Sequence, residues 1–236
     1  MHGSRDEILT NLAGVREGIE RACDRAGRDP SSVTLVAAAK TQPADAVRWV
    51  LDAGVTAIGH NYVRELREMA GVVPGARWHY IGVLQTNTAH HVAALADVVE
   101  TLAGDRATRR LDRRAAEAGR VVEALIEVDF TGSRAGTPPE ELRAFAARVA
   151  GLEGLRVRGL MTIPPVGATP DDARPWFRRL RALRDEIRDD RPDVVDLSMG
   201  MSLDYGVAVE EGATMVRIGT ALFGPRAPAG APHPAP

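Results

Sequence analysis

Apolar residues recur along the chain at two alternating periods. Ile8, Leu9, Leu12, Val15, Ile19 and Ala22 fall at helical spacing behind Ser4, which pairs with Glu7 as a capping box, so a first helix is predicted to end near Gly27. Residues 33–39 then form an unbroken apolar run, β-branched near its start, as expected of a parallel strand buried on both faces. Pro43 opens a helix that closes at Gly54. The alternation continues, with strands predicted at 56–58, 78–81, 98–102, 121–128, 155–162, 194–197 and 214–218, and helices at 61–69, 86–95, 105–118, 138–150, 170–188 and 204–211. Eight strand signals with no linker between them predict an α/β chain forming a single (β/α)8 barrel over residues 1–227, with an extra helix in front. Residues 228–236, rich in Pro and Ala, are predicted to be a disordered tail, and His2 and His233 in the frayed ends carry no functional weight.

Composition narrows the classes. A net charge of −2 and a pI near 6.3 supply no basic field for nucleic acid or an anionic membrane. The arginine-rich stretch at 105–118 lacks interleaved aromatic residues and is expected to be a solvated helix face. Residues 78–96 lack Asp, Glu, Lys and Arg but contain Gln85, Asn87 and histidines, which argues against a membrane span. Cys23 is the only cysteine, so no internal disulfide can form, and charges stand where a signal peptide needs an apolar core. Cytoplasmic location is the expectation. No extended apolar helix face stands out, which favours a monomer.

One residue focuses the chemistry. Lys40 is the only lysine in the chain, so every other cationic side chain among the 30 Lys and Arg is an arginine, which does not give up its proton. Any Schiff base through a side-chain amine must use it. Lys40 ends the first strand, and sites in such barrels gather at the carboxyl ends of strands. The other predicted ends carry His60 and Asn61, Gln85 and Asn87, Asp129, Thr162, the run Ser198-Met199-Gly200-Met201-Ser202, and Arg217-Ile218-Gly219-Thr220. Loops after strands seven and eight are recurrent phosphate sites, and here they offer glycines and hydroxyls. A phosphate cradle opposite a reactive lysine suggests pyridoxal phosphate.

Alternatives stand beside these readings. A strand-ending lysine is often solvated punctuation, and glycine turns are often only turns. Arg217 either faces the pyridine nitrogen or makes a salt bridge inside the barrel to Asp129 or Glu127. Asn61 either bonds the ring hydroxyl or caps a helix. His79 and His60 are expected to be satisfied structural histidines. His90 and His91 are expected to face apart on their helix, and no ligand-spaced cluster occurs, so no metal is expected.

VAAAKTQPADAV, GHNYVRELREM, WHYIGVLQTN, RGLMTIP and DLSMGMSLDYGVAVEEGATMVRIGTALFG, taken in order, closely resemble the pyridoxal-phosphate homeostasis proteins, the YggS or PROSC family. The resemblance covers about residues 6–226. It implies a TIM barrel of pyridoxal-phosphate fold type III, similar to the barrel domain of alanine racemase. It also implies pyridoxal phosphate held as a Schiff base on Lys40, Arg217 at the pyridine nitrogen, and Asn61 near the ring. Ser202, Gly219 and Thr220 become phosphate ligands, with Met199 and Gly200 shaping their loop. The chain departs from the family pattern at His60, where glutamate is usual, and lacks family lysines near Thr88 and Arg134. Type III racemases add a second, mostly β domain whose tyrosine serves as acid or base, and none is expected here. The implied role is vitamin B6 homeostasis without efficient catalysis, with apoenzymes as possible recipients. The competing functions are a weak racemase or lyase on the same cofactor, and a class I aldolase acting through Lys40.

Overall fold

The computed structural model describes residues 3–225; the predicted tail at 228–236, His2 and His233 lie outside them. The chain runs α1 (Arg5–Ala26), β1 (Thr34–Ala38), α2 (Ala44–Asp52), β2 (Ala57–His60), α3 (Val63–Val72), β3 (Arg77–Tyr80), α4 (Ala89–Leu95), β4 (Val98–Leu102), α5 (Asp105–Glu117) and β5 (Val122–Glu127). It continues α6 (Leu142–Val149), β6 (Leu155–Met161), α7 (Arg174–Arg188), β7 (Asp196–Ser198), α8 (Tyr205–Glu210), β8 (Met215–Ile218) and α9 (Thr220–Phe223). The strands form a closed barrel in sequence order, all parallel, with β8 pairing back onto β1. The barrel and its leading helix are thus as expected from the pattern. Among the described residues no helix is long and apolar enough to cross a membrane.

Local chemistry sets the boundaries. Ser4 and Glu7 form the capping box at the start of α1, with the Ser4 amide donating to Glu7 Oε2 at 2.7 Å, and Gly27 closes the helix in the left-handed region at φ 63°. The helices expected at 138–150 and 170–188 each begin with a 3-10 turn, Pro139–Glu141 and Pro170–Ala173, where a leading proline lacks only an amide that would be orphaned anyway. β7 starts at Asp196, not at Val194, because the Val194 amide turns back onto Arg191 O at 3.0 Å. α3 begins two residues after Asn61, and four-residue α9 is too short to leave a periodic signal.

Strand alternation separates two cores. Ala37, Ile58, Val99, Ala124, Ile126, Leu160, Leu197 and Val216 point outward into the layer shared with the helices. α7 supplies that layer with Phe177, Leu180, Leu183 and Ile187, each burial contributing about 1.5–3 kcal/mol. Register places Val36, Ala57, Leu125, Met161 and Arg217 on the inner face instead. Glycine admits close approach inside: a Cβ on Gly159 would stand 2.0 Å from Asp196 O on the neighbouring strand.

Helix α1 packs on α8 through Gly18, where a Cβ would meet Tyr205 Oη at 2.1 Å, whereas Gly14 is exposed with nothing within 4 Å of its Cβ position. Opposite outcomes are expected in chemical denaturation. Gly14→Ala should stabilise by about 0.5–1 kcal/mol, and Gly18→Ala should destabilise by about 1–3 kcal/mol as the ring is pushed aside. Equal effects of the two substitutions on the unfolding midpoint would contradict this packing.

Candidate functional site

Lys40 stands where β1 leaves the barrel. The Ala39 amide still donates to Gly59 O at 2.9 Å, so the pleat continues past Ala38 and puts Lys40 on the inner face with Val36 and Ala38. Its side chain is half-buried, and Nζ lies 5.1 Å from the centre of the Tyr62 ring. The next residue, Thr41, is the one non-glycine residue with positive φ among the described residues, at 63°. A β-branched residue there costs roughly 1–2 kcal/mol. The turn is held by the Thr41 amide, which donates to Glu65 Oε2 at 3.3 Å, and Glu65 Oε2 lies 3.5 Å from His60 Nδ1. Burial pushes the Glu65 carboxyl up, but His60, the Thr41 amide and the Lys40 charge together hold it below the usual carboxylate range. His60 faces outward, fully buried against Trp78, and among the described residues neither ring nitrogen makes a full hydrogen bond. It is therefore not the satisfied histidine expected from sequence.

Arg217 lies inside the barrel, 4 % exposed. Its Nη2 donates to Thr162 O at 2.9 Å and its Nη1 to Ser198 Oγ. Ser198 Oγ in turn donates to Glu100 Oε2 at 2.5 Å, and the other carboxylate oxygen lies 2.6 Å from His79 Nδ1. The expected intra-barrel partners of Arg217 were Asp129 or Glu127; the acid the structure pairs with it is Glu100, at 3.7 Å. Glu127 is occupied by Arg134 Nε at 2.8 Å, and Asp129 accepts the Thr131, Gly132 and Arg134 amides, capping the loop after β5. Burial raises the Glu100 carboxyl, yet the hydrogen bond and charge of His79, the charge of Arg217 and the Ser198 hydroxyl outweigh it and keep the acid ionised. Burial pulls Arg217 below the usual guanidinium range, with Glu100 leading the groups that oppose it, and a guanidinium keeps its proton even so. Glu100 sits mid-strand in β4, inside an apolar run, and only the single acid in VVETL could have flagged it.

The loops after β7 and β8 meet at the mouth. Met199 is fully buried. Gly200 has φ +92°, and a Cβ there would stand 2.5 Å from Ala208 Cβ and 3.0 Å from Tyr205 Cα. Its carbonyl accepts the Arg217 amide at 3.0 Å, and Ser202 Oγ accepts the Ala221 amide at 3.1 Å, which ties one loop to the other. Gly219 opens α9 beside β1, its Cβ position 3.4 Å from Ala38 O, and Thr220 is exposed at the mouth. Lys40, Gly219, Thr220, Ser202 and Arg217 therefore converge on one end of the barrel.

Asn61 is placed differently from one of its expected roles. It is not a helix cap, since α3 is preceded by Tyr62 without a side-chain cap, and its carbonyl instead packs so closely on Gly82 that a Cβ would stand 1.9 Å away. His90 and His91, expected to face apart, have ring centroids 3.9 Å apart; among the described residues no cluster of three metal-ligating side chains occurs. An open groove lined by Arg16, Ile19, Glu20 and Thr34 lies at the opposite end of β1 from these residues.

Residues 11–227 match the family model of the alanine racemase N-terminal domain. The chain is similar to the pyridoxal phosphate homeostasis protein of Aquifex aeolicus, 40% identical over 220 residues that cover 91% of this chain and 96% of the relative. The protein of that name from Escherichia coli K12 is 39% identical over 229 residues, covering 94% and 97%. Among solved structures, PipY of Synechococcus elongatus PCC7942 with PLP bound superposes with a TM-score of 0.78 at 35% identity, covering 88% of this chain and 100% of PipY. A match across nearly the full length of these relatives, on a closed barrel that gathers Lys40, Arg217 and two glycine loops at one mouth, means that the chain belongs to the pyridoxal phosphate homeostasis family, within the alanine racemase N-terminal-domain fold.

Proposed function

We propose that this protein binds pyridoxal phosphate through Lys40 and serves the homeostasis of that cofactor, without efficient catalysis of its own. The observation that carries the reading is the placement of the chain's only lysine, half-buried on the inner face at the barrel mouth, one strand from Arg217 and the Gly219 turn. The donor set fits the ligand. An aldehyde needs a primary amine, a pyridine nitrogen accepts from a cation, and a phosphate is held by amides and hydroxyls at a turn that glycine keeps open. When bound, pyridoxal phosphate supplies an aldehyde that condenses with an amine and a ring that draws electrons from it.

Each residue then has a task. Lys40 is the point of covalent attachment, on a turn fixed by Thr41 and Glu65. Ser202, Gly219 and Thr220 bind the phosphate, while Met199 and Gly200 keep the first loop in shape. Asn61 borders the ring from β2. Arg217 donates to the ring nitrogen and, because a guanidinium keeps its proton, leaves that nitrogen unprotonated and the ring a poorer electron sink. This favours holding the cofactor over reacting through it. Arg134 is engaged by Glu127, and His60 stands where the family pattern has glutamate, so roles that family lysines play near Thr88 and Arg134 are not carried by amines here. Apoenzymes as recipients, a monomeric state and a reducing, cytoplasmic setting complete the reading, the last supported by the buried free thiol of Cys23.

Borohydride reduction of protein incubated with pyridoxal phosphate, followed by peptide mass spectrometry, should place one adduct on Lys40. Lys40→Ala and Lys40→Arg should both lose the adduct and the visible absorption band. An adduct-free wild type would remove the reading, and selective capture of a phosphorylated sugar in its place would favour an aldolase. In a second experiment, Gly200→Ala should weaken pyridoxal phosphate binding by more than about tenfold, because a Cβ at this backbone angle collides with α8; unchanged affinity would free the loop from any role. Incubation of the loaded protein with single amino-acid enantiomers should give no loss of chirality beyond that of free cofactor, and faster turnover would make it a racemase.

A further inference from the structure

The buried chain behind Arg217 has no part in attaching or gripping the cofactor, yet it links four strands through one carboxylate. Glu100 is 0 % exposed and His79 is 1 % exposed. From the inner face of β4, Glu100 accepts from Ser198 Oγ at 2.5 Å and faces His79 Nδ1 at 2.6 Å. The same Ser198 oxygen accepts Arg217 Nη1–H, and Glu100 Oε2 stands 3.7 Å from that nitrogen. With Glu100 ionised, both contacts are donated to it, so His79 Nδ1 carries a proton, and Nε2 is buried with no hydrogen-bond partner among the described residues. Thr162 O takes the other terminal nitrogen of Arg217 at 2.9 Å. The guanidinium is thus fixed by contacts on both terminal nitrogens, and one ionised acid balances its charge.

We infer that Glu100, working through Ser198 and braced by His79, is the positioning residue that holds the Arg217 guanidinium correctly aimed at the cofactor ring. The inference rests on the assignment of pyridoxal phosphate to this mouth. Without Glu100 the guanidinium would be a buried cation with no counter-charge, and it would turn away or lose its fixed direction. The ring nitrogen would then lose its donor and become free to take a proton from solvent, which changes the absorption of the bound group.

Glu100→Gln keeps the size of the side chain and removes the charge. The adduct on Lys40 should survive reduction and appear by mass, the affinity should fall by about tenfold or more as the fixed guanidinium is lost, and the visible band should shift with pH where the wild-type band does not. Glu100→Asp should restore the wild-type band in part, which a purely structural acid would not require. Ser198→Ala, which removes only the bridging hydroxyl, should shift the band in the same direction by less, and it carries the same test should Glu100→Gln not fold. A variant of either position that loads cofactor with wild-type affinity and a wild-type, pH-independent band would overturn the positioning role, whatever its melting temperature. Failure of the wild type to load at all would instead overturn the assignment of the site.

Discussion

A charged pair shut inside the barrel, Arg217 with Glu100, is the constraint around which the interior is organised. Moving each charge out of water costs several kcal/mol, and the attraction between them offsets this only where the remaining donors and acceptors are also satisfied. His79 Nδ1 on β3, Ser198 Oγ on β7 and Thr162 O just past the end of β6 provide that satisfaction. The consequence is geometric as well as energetic. Ala38, Ala57 and Gly59 put small residues on the inner face of β1 and β2, while His79, Glu100, Ser198 and Arg217 bring polar groups to the inner face of β3, β4, β7 and β8. Gly59 has little to spare, since a Cβ there would stand 3.0 Å from Ile81 Cδ1.

Rigidity at the mouth comes from outside the barrel. Gly18 on α1 lets Tyr205 seat at the start of α8, and the same tyrosine and Ala208 form the wall against which Gly200 must lack a side chain. The helix preceding the barrel therefore supports the loop after β7 through one aromatic ring. Met201 adds a second anchor, its amide donating to Asp204 Oδ1 at 2.6 Å. By contrast the Lys40 side of the mouth depends on a single strained turn, with Thr41 at positive φ and one long bond from its amide to Glu65. One half of the site is braced by packing and the other by a carboxylate.

How much of this was written in the sequence follows from what each residue answers to. The barrel was legible because strand and helix periods alternate eight times, and Lys40, Gly200 and Gly219 were legible because composition or backbone freedom makes them unlike their neighbours. Glu100 was not, since one acid in an apolar strand gives no hint of which side chain it will meet across the barrel, and its link to β8 joins positions 117 residues apart in the sequence, from 100 to 217. Asn61 and His60 misled for a related reason. An asparagine after a strand suggests a cap and a histidine beside it a satisfied structural group, whereas here the asparagine carbonyl is pressed on Gly82 and the histidine ring is turned into the outer core beside Trp78. Local chemistry could not show that β3 would approach so closely.

The pairing of charges decides how the mouth treats an anion. Arg217 is matched by Glu100 and Arg134 by Glu127, so neither guanidinium brings a free positive charge to the rim. Lys40 Nζ lies 5.1 Å from the centre of the Tyr62 ring, and the Glu65 carboxylate that its charge helps to hold low is already shared by His60 and the Thr41 amide. If pyridoxal phosphate binds as proposed, its phosphate would be held by oriented dipoles, the amides and hydroxyls of two turns, more than by ion pairing. Such dipoles act only over short range, so the turns have to be close and fixed. The bond from the Ala221 amide to Ser202 Oγ supplies such a tie, and glycine is needed at 200 because the chain bends too sharply against α8 for any side chain.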